Sequence, residues 1–581
     1  MQSETIKNYF ANLVQQAVLE MAPGAAAASV TVPEAAFGDY ATNAAMLLAK
    51  QLKKNPKDLA VELAEKIKAL DSKGAFSEVV AASGFVNAKI SQQRLLANLY
   101  EILEHGDLYG CSMAGQGRTV VVEYFQNNVA KPPHVGHLRS AVIGDCLLRV
   151  LKSQGYKAVS DTHIGDWGVQ FGILLFAYKE YLKAGGKKEQ IEKDPINELN
   201  KLYVEMSSKI EADETLREKG KEEFVKLEKG DAENRQLWQW FVNESLEDFE
   251  RYRKWLKLLP FDHNLGESFY EDKMPAVMQE LRAKGLAVRG ETGEEYVDLE
   301  SYGLGRCIIV KSDGGTTYHT RDFACYIYRR KEFNFYKNLY VVDNRQSHHF
   351  RQLFKVLELA GYPAGADSRH VDLGFMSLPE GAISTRKGTT ISLKNLLEEA
   401  QARALRIIEE KNPQLQSKDA VAAQVAVAAI KYFDLSHNRK TEIVFAWDKA
   451  LSFEGNTGPY LQYTHARIYG ILRKFQISNS KSQINSKIQN INFKAEELLV
   501  LRKLVQYPEA VSQVAEDYLP NALCNYLFEL SQAFNSFYQE MPVLQEPDEQ
   551  LKSFRLQLIT ATAQVIQNGL YLLGIEAPEE M

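Results

Sequence analysis

The chain has 581 residues, of which 45% are hydrophobic and 25% charged, with a formal net charge of −6. These are globular proportions, the length suggests about three or four domains, and the acidic balance argues against a nucleic-acid coat protein while leaving room for a local basic surface that meets RNA. No run of about 18 apolar residues occurs, so no membrane span is expected.

The five cysteines, Cys111, Cys146, Cys307, Cys325 and Cys524, are dispersed and odd in number, with no C-x-x-C pair. A disulfide framework or structural zinc site is therefore not expected, and a reducing compartment, the cytoplasm, fits best. Residues 1–110 predict a small α+β unit. MQSETIKNYFANLVQQAVLEMAPG has the spacing of an amphipathic helix and lacks the basic start and apolar run of a signal peptide. Helical patterns at TNAAMLLAKQLKK and LAVELAEKIKAL alternate with strand-like ASVTVP and GFVNAKI. The Gly-rich stretch GCSMAGQGR, 110–118, reads as a linker.

TVVVEYF, 119–125, has the β-branched run of a buried strand, followed by a Pro-containing loop and a helical pattern from Gly136 to about Gln154. NLYVVD (338–343), a helix over HHFRQLFKVLELAG, and HVDLGF (370–375) continue the alternation. Strands alternating with helices over 111–417 predict a parallel, doubly wound sheet. Residues 179–258 are dense in Lys and Glu with apolar residues at helical spacing, which predicts a helical insertion with a solvated surface. From 418 to 581 the pattern is all-helical, interrupted by the Ser/Asn/Ile/Lys-rich insert ISNSKSQINSKIQNIN, 477–492.

The most informative stretch is VVVEYFQNNVAKPPHVGHLRSAVIGD, 120–145. It runs strand, loop, then His134-Val135-Gly136-His137 at a helix start, where free N–H groups and a positive dipole end suit a phosphate. Gly136 lets a nucleotide approach the backbone. Histidines three residues apart share a helical face and can both donate to phosphate oxygens. A bare H-x-x-H also describes two surface histidines or a metal pair; the preceding strand, Asn128 and Lys131 favour nucleotide binding.

This stretch resembles the HIGH signature of class I aminoacyl-tRNA synthetases, and NVAKPPHVGHLRS in particular resembles arginyl-tRNA synthetases. So do GFMSLPEGAISTRKGTTISL (374–393), EGNTGPYLQYTHARI (454–468), FGDYATNAA (37–45) and NGLYLLGIEAP (568–578), so the resemblance spans the chain. It implies a Rossmann-like catalytic domain, an N-terminal domain on the tRNA elbow and a helical anticodon-binding domain. The implied activity is ATP-dependent activation of L-arginine, which depends on bound tRNA, and transfer to the 2′-OH of the 3′-terminal adenosine of tRNA(Arg). ATP carries magnesium; no structural metal, DNA or membrane partner is implied, and a monomer is expected.

By resemblance the catalytic groups are His134, His137 and Lys131. ATP would meet Gly136, both histidines, Ser384, Arg386 and Lys387. The family's KMSKS lysines are absent from the matching Ala382-Ile383-Ser384-Thr385-Arg386. Lys131 is the proposed substitute, with Arg386 and Lys387 as alternatives. A guanidinium is best met by bidentate carboxylates, and Glu123 and Asp322 match those positions, with Tyr318 beside them and Asn128 and Gln346 on the substrate's amino and carboxylate groups. Phe85 and Asn87 would read a D-loop base. Tyr460, Gln462, Tyr463, Arg467 and Met581 would contact tRNA in the C-terminal domain. Rival readings are another HxGH nucleotidylyltransferase or class I synthetase, without the acidic pair and the GNTGPYLQYTHARI helix, or a catalytically inactive RNA-binding derivative.

Overall fold

The computed structural model describes residues 4–377, 392–475 and 491–581. Near the N-terminus, strands Val30–Thr31, Tyr40–Thr42, Phe85–Ile90 and Phe76–Ala82 form, in that spatial order, an antiparallel sheet. Helices Ile6–Met21, Ala44–Leu52 and Pro56–Leu70 bury Phe10, Val14, Leu48, Leu59, Leu63 and Ile67 with it. The predicted linker packs on the core: the Gln154 amide donates to Gly110 O at 2.9 Å and Ser112 N–H to Ser153 O at 2.9 Å.

The central region is built on β1 (Thr119–Glu123), α1 (Val135–Ser153), β2 (Lys157–Asp161), α2 (Tyr318–Phe333), β3 (Lys337–Asp343), α3 (Ser347–Leu359) and β4 (Ser368–Leu373). The sheet order is β4-β3-β1-β2 and every pairing is parallel. β1 is bonded on both sides, which is why its run of valines is buried. Successive crossovers leave β1 in opposite directions, so a crevice opens at the carboxyl ends of β1 and β3.

Helices fill the crossover after β2 between Val169 and Trp255, on a separate apolar core that includes Phe171, Leu175 and Phe241. A three-stranded antiparallel sheet, Ala287–Arg289, Glu295–Asp298 and Arg306–Val310, follows in the same crossover; its strands are too short for periodicity to show. Further on lie α4 (Leu393–Lys411), α5 (Lys418–Leu435) and α6 (Gly458–Lys474), then helices Ala495–Val505, Tyr507–Asp517, Asn521–Glu540 and Glu549–Leu572. A short strand, Ile443–Val444, pairs in parallel with Met376–Ser377.

One apolar core runs without a break from the N-terminal helices through β1, α1 and β3 into the C-terminal helices. None of the five cysteines is paired, and among the described residues no helix is long and apolar enough to cross a membrane. Of the insert 477–492, all but its last two residues lie outside the described residues.

Candidate active site

His134 is the N-cap of α1. Its Nδ1 accepts the Gly136 N–H at 3.0 Å, and His137 Nδ1 accepts the His134 N–H at 3.2 Å. Both Nδ1 atoms are acceptors, so in the neutral rings each proton sits on Nε2, free to be donated. The rings stack with centroids 3.9 Å apart. Burial, with Arg345 and Lys131 nearby, lowers the His134 pKa; burial, with His134 and Lys131, takes His137 down to about 3. Both imidazoles are therefore neutral donors at neutral pH. A Cβ on Gly136 would lie 2.7 Å from the His134 ring, so the space glycine leaves is filled by that ring.

The loop before α1 is braced by the helical insertion. Ala130 N–H donates to Ser245 Oγ at 2.9 Å, and Lys131 Nζ lies 4.7 Å from the centre of the Tyr203 ring. Burial lowers the Lys131 pKa. Ser140 of α1 ties the two strand ends together: it accepts the Phe125 N–H at 2.9 Å and donates to Val341 O at 2.7 Å.

The acidic residues converge at the crevice. Glu123 closes β1 and is buried. Asp322, at the start of the second turn of α2, accepts from His349 Nε2 at 2.6 Å, and its other oxygen lies 3.7 Å from His163 Nε2. Burial works against its charge, but the His349 hydrogen bond and the positive fields of His349, His163 and Arg321 hold its carboxyl below the ordinary value. Tyr318, 56% exposed, stacks on His319 at 4.4 Å. Gln346 ends the turn after β3 and is exposed, as is Asn128, which bridges to Gly165.

Four participants were not singled out from sequence. Arg329, wholly buried on α2, donates to Glu123 Oε2 at 2.6 Å and to Asp161 Oδ2 at 2.7 Å, clamping the ends of β1 and β2. Glu123 thus already holds one guanidinium, that of the chain itself, and its other oxygen accepts from Gln126 at 3.2 Å. His163 follows β2, with φ of +39°, in the left-handed region. Burial works to lower its pKa, but Cys325, Glu123 and Asp322 raise it to about 10. Arg345, whose side chain is 74% exposed and paired with Asp343 at 2.8 Å, reaches the field of His134. KAVSDTH, in which Ala, Val and Ser precede Asp and then His, echoes the strand-then-histidine order of the first site and could have pointed to β2, Asp161 and His163.

Ser384, Arg386 and Lys387 lie outside the described residues; the chain re-enters at Ser392, which bridges to His134. In α6, Tyr460, Tyr463 and Arg467 line a cleft of about 1000 Å³ together with Met581 and Asn535. Gln462 is on the opposite face of the helix, fully buried, and its amide donates to Glu576 O at 2.8 Å, which ties α6 to the chain end. Phe85 is 40% exposed, and Asn87, on an interior strand of the same sheet, is 5% exposed.

Residues 98–447 match the family model of the class I tRNA synthetase (R) catalytic domain, 461–581 the DALR anticodon binding domain, and 4–90 the arginyl tRNA synthetase N terminal domain. An arginine–tRNA ligase of Alkaliphilus metalliredigens is 40% identical over 551 residues, 94% of each chain. One from Lactococcus lactis subsp. lactis is 42% identical over 546 residues, again 94% of each. The solved Thermus thermophilus arginyl-tRNA synthetase has a TM-score of 0.83 at 27% identity and covers 99% of this chain and 100% of its own.

Proposed function

The chain belongs to the arginyl-tRNA synthetase family, and from that premise we propose how its residues carry out the ATP-dependent ligation of arginine to tRNA. The carrying observation is the convergence of Glu123 and Asp322, beside a helix start that bears two donor imidazoles, at the carboxyl ends of β1 and β3. Glu123 and Asp322 take the substrate guanidinium, with Tyr318 along its plane. Asn128 and Gln346, both exposed, hold the α-amino and carboxylate groups.

The arginine carboxylate attacks the α-phosphorus of MgATP; a C–O–P bond forms and the bond to pyrophosphate breaks. That carboxylate is already ionised, so no base is needed, and the rate comes from positioning and charge stabilisation. His134 and His137 donate through Nε2, and Lys131 supplies the cation. The 3′-terminal ribose of tRNA(Arg) then attacks the acyl carbon through its 2′-OH and releases AMP.

For the RNA, the cleft of Tyr460, Tyr463, Arg467 and Met581 offers aromatic faces and a guanidinium to unstacked bases. Phe85 offers an exposed ring to the elbow. The N-terminal unit ends near residue 110. We place the second boundary after Val444, later than 417, because Ile443–Val444 pairs with Met376–Ser377 and α5 packs on α4. The unpaired cysteines support a reducing cytoplasm.

ATP–pyrophosphate exchange tests the reading. Exchange should require arginine and tRNA together, and lysine, which lacks a planar fork, should not replace arginine. An inert RNA-binding derivative would show no exchange under any condition.

A further inference from the structure

Three side chains distant in sequence meet at the base of the arginine pocket. Glu123 at the end of β1, His163 after β2 and Cys325 on α2 bring a carboxylate oxygen, an imidazole nitrogen and a thiol sulfur within 4.8 Å of one another. Cys325 Sγ is 3.9 Å from His163 Nδ1, and the ring's other nitrogen is 3.7 Å from Asp322 Oδ1. That is the relay of a metal-ligating histidine, with one nitrogen toward the ion and the second toward a carboxylate. A tetrahedral zinc ion, with bonds of about 2.0–2.3 Å, spaces its ligand atoms about 3.5 Å apart, so side-chain adjustments of roughly an ångström would close the site.

Two further observations point the same way. The Tyr270 hydroxyl is wholly buried against the Cys325 thiol. A thiolate created by metal binding is a stronger acceptor for it than the thiol. Glu123 and Asp161 share the guanidinium of Arg329, and Asp322 lies 3.7 Å from His163, so carboxylates line the base of the pocket.

We propose that Glu123, His163 and Cys325 bind a soft divalent cation of the zinc type, which occupies the pocket and excludes arginine. The exclusion rests on the placing of Glu123 in the arginine pocket; the cation site does not. Arg329 keeps Glu123 Oε2, and the ion takes Oε1 in place of the longer Gln126 contact. The thiol proton and the Nδ1 proton of His163 both leave to solvent.

The probe is Co²⁺, titrated into the full chain without ATP and read by its thiolate-to-metal absorption. The band should appear saturably, vanish in Cys325→Ala, weaken in His163→Asn and decline as L-arginine is added. Zn²⁺ should inhibit aminoacylation competitively with arginine, and Cys325→Ala should be at least tenfold less sensitive relative to its own uninhibited rate. Absence of the band, or an equal band in Cys325→Ala, overturns the site. A Cys325-dependent band that saturating arginine leaves unchanged overturns the exclusion, and with it the placing of Glu123 beside the guanidinium.

Discussion

At the scale of single residues, the site divides into groups that reach the substrate and groups that hold others in place. Asp322 gives one oxygen to His349 at 2.6 Å and holds the other in a longer, 3.7 Å pair with His163, the oxygen we assign to the substrate guanidinium. Asp322→Asn retains the shape but loses the charge. With a charge-assisted contact at about 1.5–3 kcal/mol, the KM for arginine should rise roughly tenfold to a hundredfold while the KM for ATP stays near the parent value. An unchanged arginine KM would make Asp322 a purely structural partner of His349. For the phosphates, the cation identity can be settled by comparing Lys131→Ala with Arg345→Ala. Lys131 is partly buried at the mouth of the histidine pair, so its loss should slow adenylate formation at least tenfold, on the order expected of one charged contact, with little change in arginine binding. Should Lys131→Ala exchange normally and Arg345→Ala not, the role belongs to Arg345.

At the scale of elements, α1 carries the signature, and the way it packs sets where the histidines point. Its middle crosses the end of β1 so closely that a Cβ on Gly144 would lie 2.2 Å from Tyr124, whose ring is wholly buried. The neighbouring atoms include Tyr124 Cβ, which cannot swing away without moving the strand end. Gly144→Ala should therefore destabilise by about 1–3 kcal/mol, the usual cost of overpacking, and lower the rate of the first step because α1 must shift. A urea midpoint equal to that of the parent would show that α1 slides freely on the sheet. The insertion acts at the same scale: Ser245 fixes the loop before His134, so helices far along the chain brace the nucleotide site.

At the scale of the whole molecule, the N-terminal unit is seated on the C-terminal helices. Glu509 accepts from Tyr40 Oη at 2.5 Å and from the Lys7 N–H at 3.2 Å, and Arg502 pairs with Asp39 at 3.2 Å. Burial pushes the Glu509 carboxyl from 4.5 up to about 7. Between those values the unfolded chain loses a proton that the folded one keeps, so this group's contribution falls as pH rises through the window and is level above it. Glu509→Gln removes the effect. Its unfolding midpoint should match the parent near pH 4 and exceed it at pH 8, by about 1–3 kcal/mol. Equal midpoints at pH 8 would mean that the interface already compensates the charge.

The sequence by itself determined what depends on local pattern. The valine run of β1 and the helix that opens at the HVGH signature were legible, because buried parallel strands and helix starts are written in contiguous residues, whereas Glu123 and Asp322 came only from the family resemblance. Helical spacing did not separate Tyr460, Tyr463 and Arg467, which line the cleft, from Gln462, whose burial against the chain end is a contact between segments 114 residues apart. What only the tertiary structure decided rests on such contacts: Arg329 clamping two strand ends from 206 and 168 residues away, and His163 meeting Cys325 across 162 residues. Closing such distances is the work of the sheet order and the packed helices, and side-chain charge at those positions acquires its meaning only once they are brought together.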